Sequence, residues 1–333
     1  MTTLESRAAI APEPAARPAR RGLRALLRIS EDEVSVERRG FRCESPQARA
    51  RLEEVGRSFL RGYHHALEDS DPTALAARLD PMAPEFRGFG YEGASMALAL
   101  LDTLAPWRRR LRPFLAGPGQ RQVHIAQIGV GWILGRLPLG PRGVVRRLDP
   151  VLGWLALDGY GFHEGFFHWP RSIVRQEVPR KLAGYARRGF DQGVGRSLWF
   201  VEGTDPERIA ATSARYAAAR HPDRWAGAGL AAAYAGGCER SALESLRRLA
   251  GRHAPTVAQG AAFAAVAREH GGNPAAHTEL ACQTLTGSTA AQLAALAEET
   301  GRDLPVLPFD APEPALEIWR RRIQSRLAQG ALR

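Results

Sequence analysis

The feature that most limits how this chain can fold is a glycine that returns every thirty-odd residues inside segments otherwise rich in Ala and Leu. A polar residue stands before it at Glu92-Gly93-Ala94, Gln127-Ile128-Gly129, Glu164-Gly165-Phe166, Gln192-Gly193-Val194 and Gln259-Gly260-Ala261, and Ala226-Gly227-Ala228 is a variant without the polar residue. The glycines at 93, 129, 165, 193, 227 and 260 are separated by 36, 36, 28, 34 and 33 residues. Such a period is the signature of a repeat built from helical hairpins. Glycine costs about 1 kcal/mol relative to Ala inside a helix, so its presence there needs a return. Close approach of helix backbones supplies one, at Gly129/Gly131, Gly193/Gly195 and Gly227/Gly229. The expectation is an all-α fold of helical-hairpin repeats, 28 to 36 residues each, forming a curved or closed α/α array.

Breakers divide the chain. Residues 1–29 read as a disordered basic tail ending in a short amphipathic helix over Arg20 to Ile29, residues 30–303 as the repeat domain, and residues 304–333 as a Pro-rich extended segment with a basic C-terminal helix. Glu33 to Arg42 alternates weakly and reads as extended, whereas Ser45-Pro46 opens a long helix. The net charge is +11, but each tail contributes +4, and Lys181 is the only lysine. The basic excess therefore sits in tails read as solvated, and no zinc-finger spacing, RNP-like motif or basic core helix points to nucleic acid. No stretch reaches the roughly 20 apolar residues of a membrane span. Three scattered cysteines, Cys43, Cys238 and Cys282, suit a reducing compartment, and the N-terminal residues lack a secretory apolar region, so a cytoplasmic location is expected.

The densest run of chemistry-bearing residues is Leu157 to Arg171, with His163-Glu164 and His168. Five positions apart on a continuing helix, the two imidazoles would point about 140° from one another. Metal ligation wants one face, so neither metal nor cofactor is expected here. There is no Walker loop or Gly-x-Ser-x-Gly elbow either. What remains is one polar position per repeat: Glu92, Gln127, Glu164, Gln192 and Gln259, with His163 and Asp191 adjacent. In a curved array such positions converge on one surface. They would line a ligand cavity or, more plainly, bridge helices through buried hydrogen bonds. Tyr91, Phe162, Phe166, Trp169, Phe190, Trp199 and Trp225 stand close by as apolar walls, although core packing is the commoner use of such residues. His163, Glu164 and Asp191 are the acid/base candidates, since burial can tune a carboxylate or imidazole toward neutral pH.

Three segments, Gly90 to Asp102, Leu148 to Phe167 and Arg188 to Gly203, together with Trp225 to Gly237, make the chain resemble a bacterial family of unknown function, DUF1702, whose members carry the designation of enediyne biosynthesis proteins. The resemblance implies a pathway-dedicated protein of enediyne-type polyketide biosynthesis and supplies no catalytic residues. The leading expectation is that the chain acts on or sequesters a hydrophobic polyene-like intermediate in a helical pocket. The alternative is a non-catalytic repeat scaffold that docks to the polyketide synthase or its partner enzymes.

Overall fold

The computed structural model describes residues 25–330. Most of the expected N-terminal tail and half of the helix at Arg20 to Ile29 lie outside the described residues; within them, Ala25 to Leu27 form one helical turn. Among the described residues every regular element is helical. Eight helices form the body: α1 (Pro46–Glu68), α2 (Pro84–Leu104), α3 (Val123–Gly131), α4 (Leu155–Phe167), α5 (Tyr185–Val201), α6 (His221–Tyr234), α7 (Ala254–Gly271) and α8 (Ala290–Thr300). A ninth, α9 (Ala315–Ala328), packs on α7 and α8. Each body helix packs against the next in sequence, and short outer helices such as Pro72–Leu79, Pro206–Ala214 and Arg240–Ala250 return the chain to the start of its successor. Entry points are fixed locally: Ser45, Asp71 and Asp205 accept backbone N–H groups as N-caps, each ahead of a proline in the first turn.

The glycines explain the stacking. Residues two apart on a helix project about 200° apart, so a Gly-x-Gly pair clears both flanks of one helix. In α4, Gly159 lies against the Ile128 carbonyl of α3 and Gly161 against the Phe190 carbonyl of α5. Gly193 and Gly195 repeat this between Asp158 and Arg224, and Gly227 and Gly229 between Gln192 and Val257. A methyl group at any of these six would overlap a backbone carbonyl. Along α4 and α5, Leu157 meets Gly189 and Gly165 meets Ser197, so neighbouring helices run in the same direction. The end of α7 returns to the start of α3, where Gln122 Nε2 donates to the Gly271 carbonyl at 3.0 Å, and to the start of α2, where Arg268 Nη1 reaches the Pro84 carbonyl. The array thus curls onto itself.

Three sequence readings need correction. The glycine of α4 equivalent to Gly193 is Gly159, because these two occupy matching flanks; the steps around it become 30 and 34, and the polar residue of that repeat is Asp158, six residues before Glu164. Glu33 to Arg42 is not extended: it holds a 3-10 turn (Glu31–Val34) and a short helix (Val36–Arg39) started by Ser30 and Ser35 side chains. The C-terminal helix is also no solvated basic tail. Leu316, Trp319 and Ile323 are buried, and Arg320 is among the most buried side chains of the molecule.

Candidate functional site

Where the first five body helices and the N-terminal segment meet, aromatic side chains enclose a narrow cavity. Phe59 stacks on Trp132 with ring centroids 4.2 Å apart, and Trp132 leans on Phe162, which meets Phe166 and Phe200. Ile29 and Val34 cover this cluster from the N-terminal segment, and Phe89 and Phe167 complete it. Four bonds tie the segment to α1: Tyr63 Oη donates to the Leu27 carbonyl at 2.7 Å, Arg28 Nη1 to Glu68 Oε1 at 3.4 Å and the Val36 N–H to Glu53 Oε1 at 3.0 Å, and the Ile29 N–H reaches His64 Nε2 at 3.4 Å. The free volume is about 40 Å³, room for a few waters and far below the 300–1,000 Å³ of a filled ligand site. Its single polar wall is Glu92.

Glu92 belongs to a buried polar group at the centre of the curl. It accepts a hydrogen bond from Trp132 Nε1 at 3.1 Å and lies 3.6 Å from Arg196 Nη1. Arg196 Nε sits 2.8 Å from Asp158 Oδ1, Gln192 Nε2 donates to Asp158 Oδ2 at 2.9 Å, and the guanidinium stacks on Phe162. Two carboxylates thus share one arginine. Burial raises the Glu92 carboxyl to about 7 despite the pull of Arg196 and the Trp132 N–H, which makes it a proton carrier near neutral pH. Burial pushes Asp158 upward as well, against Arg196.

His163, Glu164 and His168 form a second cluster on the far side of Trp132 and Phe167. The His163 ring centroid is 5.9 Å from that of Trp132 and 4.9 Å from that of Phe167. His163 Nδ1 is 3.2 Å and His168 Nδ1 3.4 Å from Glu164 Oε1. The objection that positions five apart diverge on a helix does not apply, because α4 ends at Phe167. His168 turns out of the helix (φ −126°, ψ 35°), and the two rings come within 5.7 Å. Burial opposes ionisation of Glu164, but hydrogen bonds from the two imidazoles outweigh it and hold the carboxyl down to about 2. Burial keeps His163 neutral, its pKa lowered despite Glu164. An ionised carboxylate accepting from neutral imidazole is therefore the resting state. Glu164 does not carry a proton near neutral pH, and among the described carboxylates Glu92 fits that role better.

The remaining sequence candidates disperse. Asp191 is bound by Arg220, whose Nε donates to both its oxygens at 3.1 and 2.9 Å, in a cluster separate from Glu164. Gln259 accepts from Arg320 Nε at 3.1 Å, at the foot of α9. There Arg320 Nη1 also donates to Asp223 at 2.9 Å and Glu317 at 3.1 Å. Gln127 is buried in α3, and its Oε1 meets no donor among the described residues. Tyr91 is buried against Phe114 and donates to Asp80 at 2.7 Å, and Trp169 donates to the Arg39 carbonyl at 2.9 Å. Phe190 and Trp199 are core, while Trp225 faces a shallow surface cleft with His253. Of the single polar position per repeat, then, Glu92 and Gln192 reach the central group, and Glu164 and Gln259 belong to two others. Asp158 and Arg196 were missed. Both had a signal: Asp158 precedes a Gly-x-Gly pair as Gln192 does, and Arg196 is the lone charge in Gly193 to Val201.

No helix among the described residues is long and apolar enough to cross a membrane. No curated protein and no solved structure matches the chain. A family profile matches residues 19–327, a span that takes in the body helices and the polar clusters described above. The chain therefore belongs to the family described as "Protein of unknown function (DUF1702)".

Proposed function

We propose that this protein binds an extended apolar molecule, of the polyene-like polyketide class, in the aromatic cavity between α1 and α5, as a dedicated cytoplasmic component of an enediyne-type pathway. The observation that carries this reading is the wall itself: six phenylalanines, Trp132 and one buried carboxyl, Glu92, whose raised pKa lets it donate to a carbonyl oxygen of a ligand. The N-terminal segment carrying Ile29 and Val34 acts as the door. It is tied to α1 by four hydrogen bonds, three of them through side chains on α1 to its backbone, and a short segment of single helical turns held in this way is the kind from which binding segments are drawn; its displacement opens the volume that the closed form lacks.

A conjugated tetraene fatty acid, whose fluorescence rises on leaving water, tests the reading. The parent should bind it with saturable emission, and Val55→Phe, which fills the cavity, should bind at least tenfold more weakly while melting cooperatively. No emission rise with the parent, or equal binding by a folded Val55→Phe protein, would overturn it. Deleting the gene in its host and identifying the accumulated metabolite places the pathway.

A second reading, docking to the polyketide synthase or its partners, is favoured by one surface feature. Trp107 is 74% exposed with Leu104, Arg108 and Arg109 beside it, the aromatic and arginine composition typical of interface anchors. Loss of synthase co-purification on Trp107→Ala, with no polyene binding by the parent, would select it.

A further inference from the structure

We infer that His163, Glu164 and His168 form a binding site for one divalent first-row transition-metal ion. Their ligand atoms lie within 4.8 Å of one another. Two of the separations, 3.2 and 3.4 Å, match the edge of about 3.3 Å expected between donors placed 2.0–2.1 Å from a tetrahedral metal. Two imidazoles and one carboxylate are a donor set suited to zinc or ferrous iron. The set also has the accessibility of an open site: His163 and Glu164 are buried, whereas the His168 side chain is 48% exposed, so the ion would keep a side for water or substrate.

The surroundings hold these donors in place. Gly135 has no side chain where the His163 ring sits; a Cβ there would lie 2.7 Å from His163 Cγ. Beyond the end of α4, Ser172 Oγ donates to the Glu164 carbonyl at 2.8 Å and to the His168 carbonyl at 3.1 Å. The His168 N–H closes on the Glu164 carbonyl at 2.9 Å. These bonds fix the turn that brings His168 back over Glu164, and that turn converts three residues of one helix end into three donors around one point. The ion binds whether or not the aromatic cavity holds a ligand, although Trp132 and Phe167 separate the two by the thickness of one ring.

The test uses the full-length protein stripped with a chelator, then titrated with Zn²⁺ against a competing chromophoric chelator, and separately with Co²⁺ while visible absorption is followed. His168→Ala removes a half-exposed ligand without cutting into the core, and Glu164→Gln keeps the volume of the buried one. The parent should bind one more equivalent of Zn²⁺ than either variant, or bind it at least tenfold more tightly, with its melting temperature raised by zinc where those of the variants are not. Intense Co²⁺ bands that vanish in His168→Ala indicate a four-coordinate, zinc-like ion, and weak bands that vanish in the same way a six-coordinate, iron-like one. Both outcomes support the site. Uptake of Zn²⁺ and Co²⁺ equal in the parent and a folded His168→Ala protein would overturn it, leaving Glu164 as a simple bridge between two imidazoles.

Discussion

Replacing Gly193 with Ala tests the basis of the fold directly. The added Cβ would overlap the Asp158 carbonyl oxygen and lie 2.6 Å from the Phe162 nitrogen, where ordinary contact is about 3.5 Å. Both obstacles are backbone of α4, so no side chain can swing aside, and α4 and α5 must part by at least about 0.9 Å, and by more at the Asp158 carbonyl oxygen, which lies closer still. Overpacking of this kind costs up to about 3 kcal/mol. Against it, Ala returns about 1 kcal/mol of helix propensity. The net loss is about 2 kcal/mol, or a fall of about 3 °C in melting temperature for a chain of this size. Gly143 is the control: it lies in the short helix Pro141–Val145, and a Cβ there meets nothing within 4 Å. Gly143→Ala should therefore be neutral or raise stability by up to about 1 kcal/mol. Urea and thermal unfolding of the two variants measure the difference. A Gly193→Ala protein as stable as Gly143→Ala would refute the claim that close backbone approach is why glycine recurs.

Glu92 gives stability a pH dependence. Its carboxyl rises on folding from 4.5 to about 7, so between these values the native state holds more protons than the unfolded state. The contribution is complete below pH 4.5 and fades as the pH climbs through 7, amounting to about 3 kcal/mol. Glu92→Gln should flatten this window in urea midpoints measured across it; parallel curves for parent and variant would contradict the assignment. Arg320→Met removes the buried cation shared by Asp223, Glu317 and Gln259 and should cost about 3–5 kcal/mol, read by denaturant midpoint; a change below 1 kcal/mol would mean that Arg188, paired with both carboxylates, suffices. Gly135→Ala should displace the His163 ring and weaken zinc uptake at least as much as it lowers the melting temperature, and parent-like zinc binding would show that this glycine does not seat the ligand.

The all-helical array and its repeat were legible in the sequence because both depend on local chemistry: helix formers between Gly and Pro breakers, caps such as Ser45 and Asp205, and a glycine wherever two backbones touch. Glu92 and Gln192 were legible for the same reason, since a polar residue beside a contact glycine inherits its orientation from the helix. The register of α4 was not, because Gly159, Gly161 and Gly165 all stand in one helix and only the neighbouring backbones decide which pair corresponds to Gly193 and Gly195. Nor could sequence place His168 beside His163. The angle between them depends on where α4 stops, and that is settled by Ser172 and the turn after Phe167 rather than by spacing. The curl of the array had the final say over the rest: it carried Glu92 of α2 to Arg196 of α5 and seated Arg320 of a basic terminal helix in the interior. Partners so distant in sequence meet only through the sum of many helix crossings, which no local pattern records.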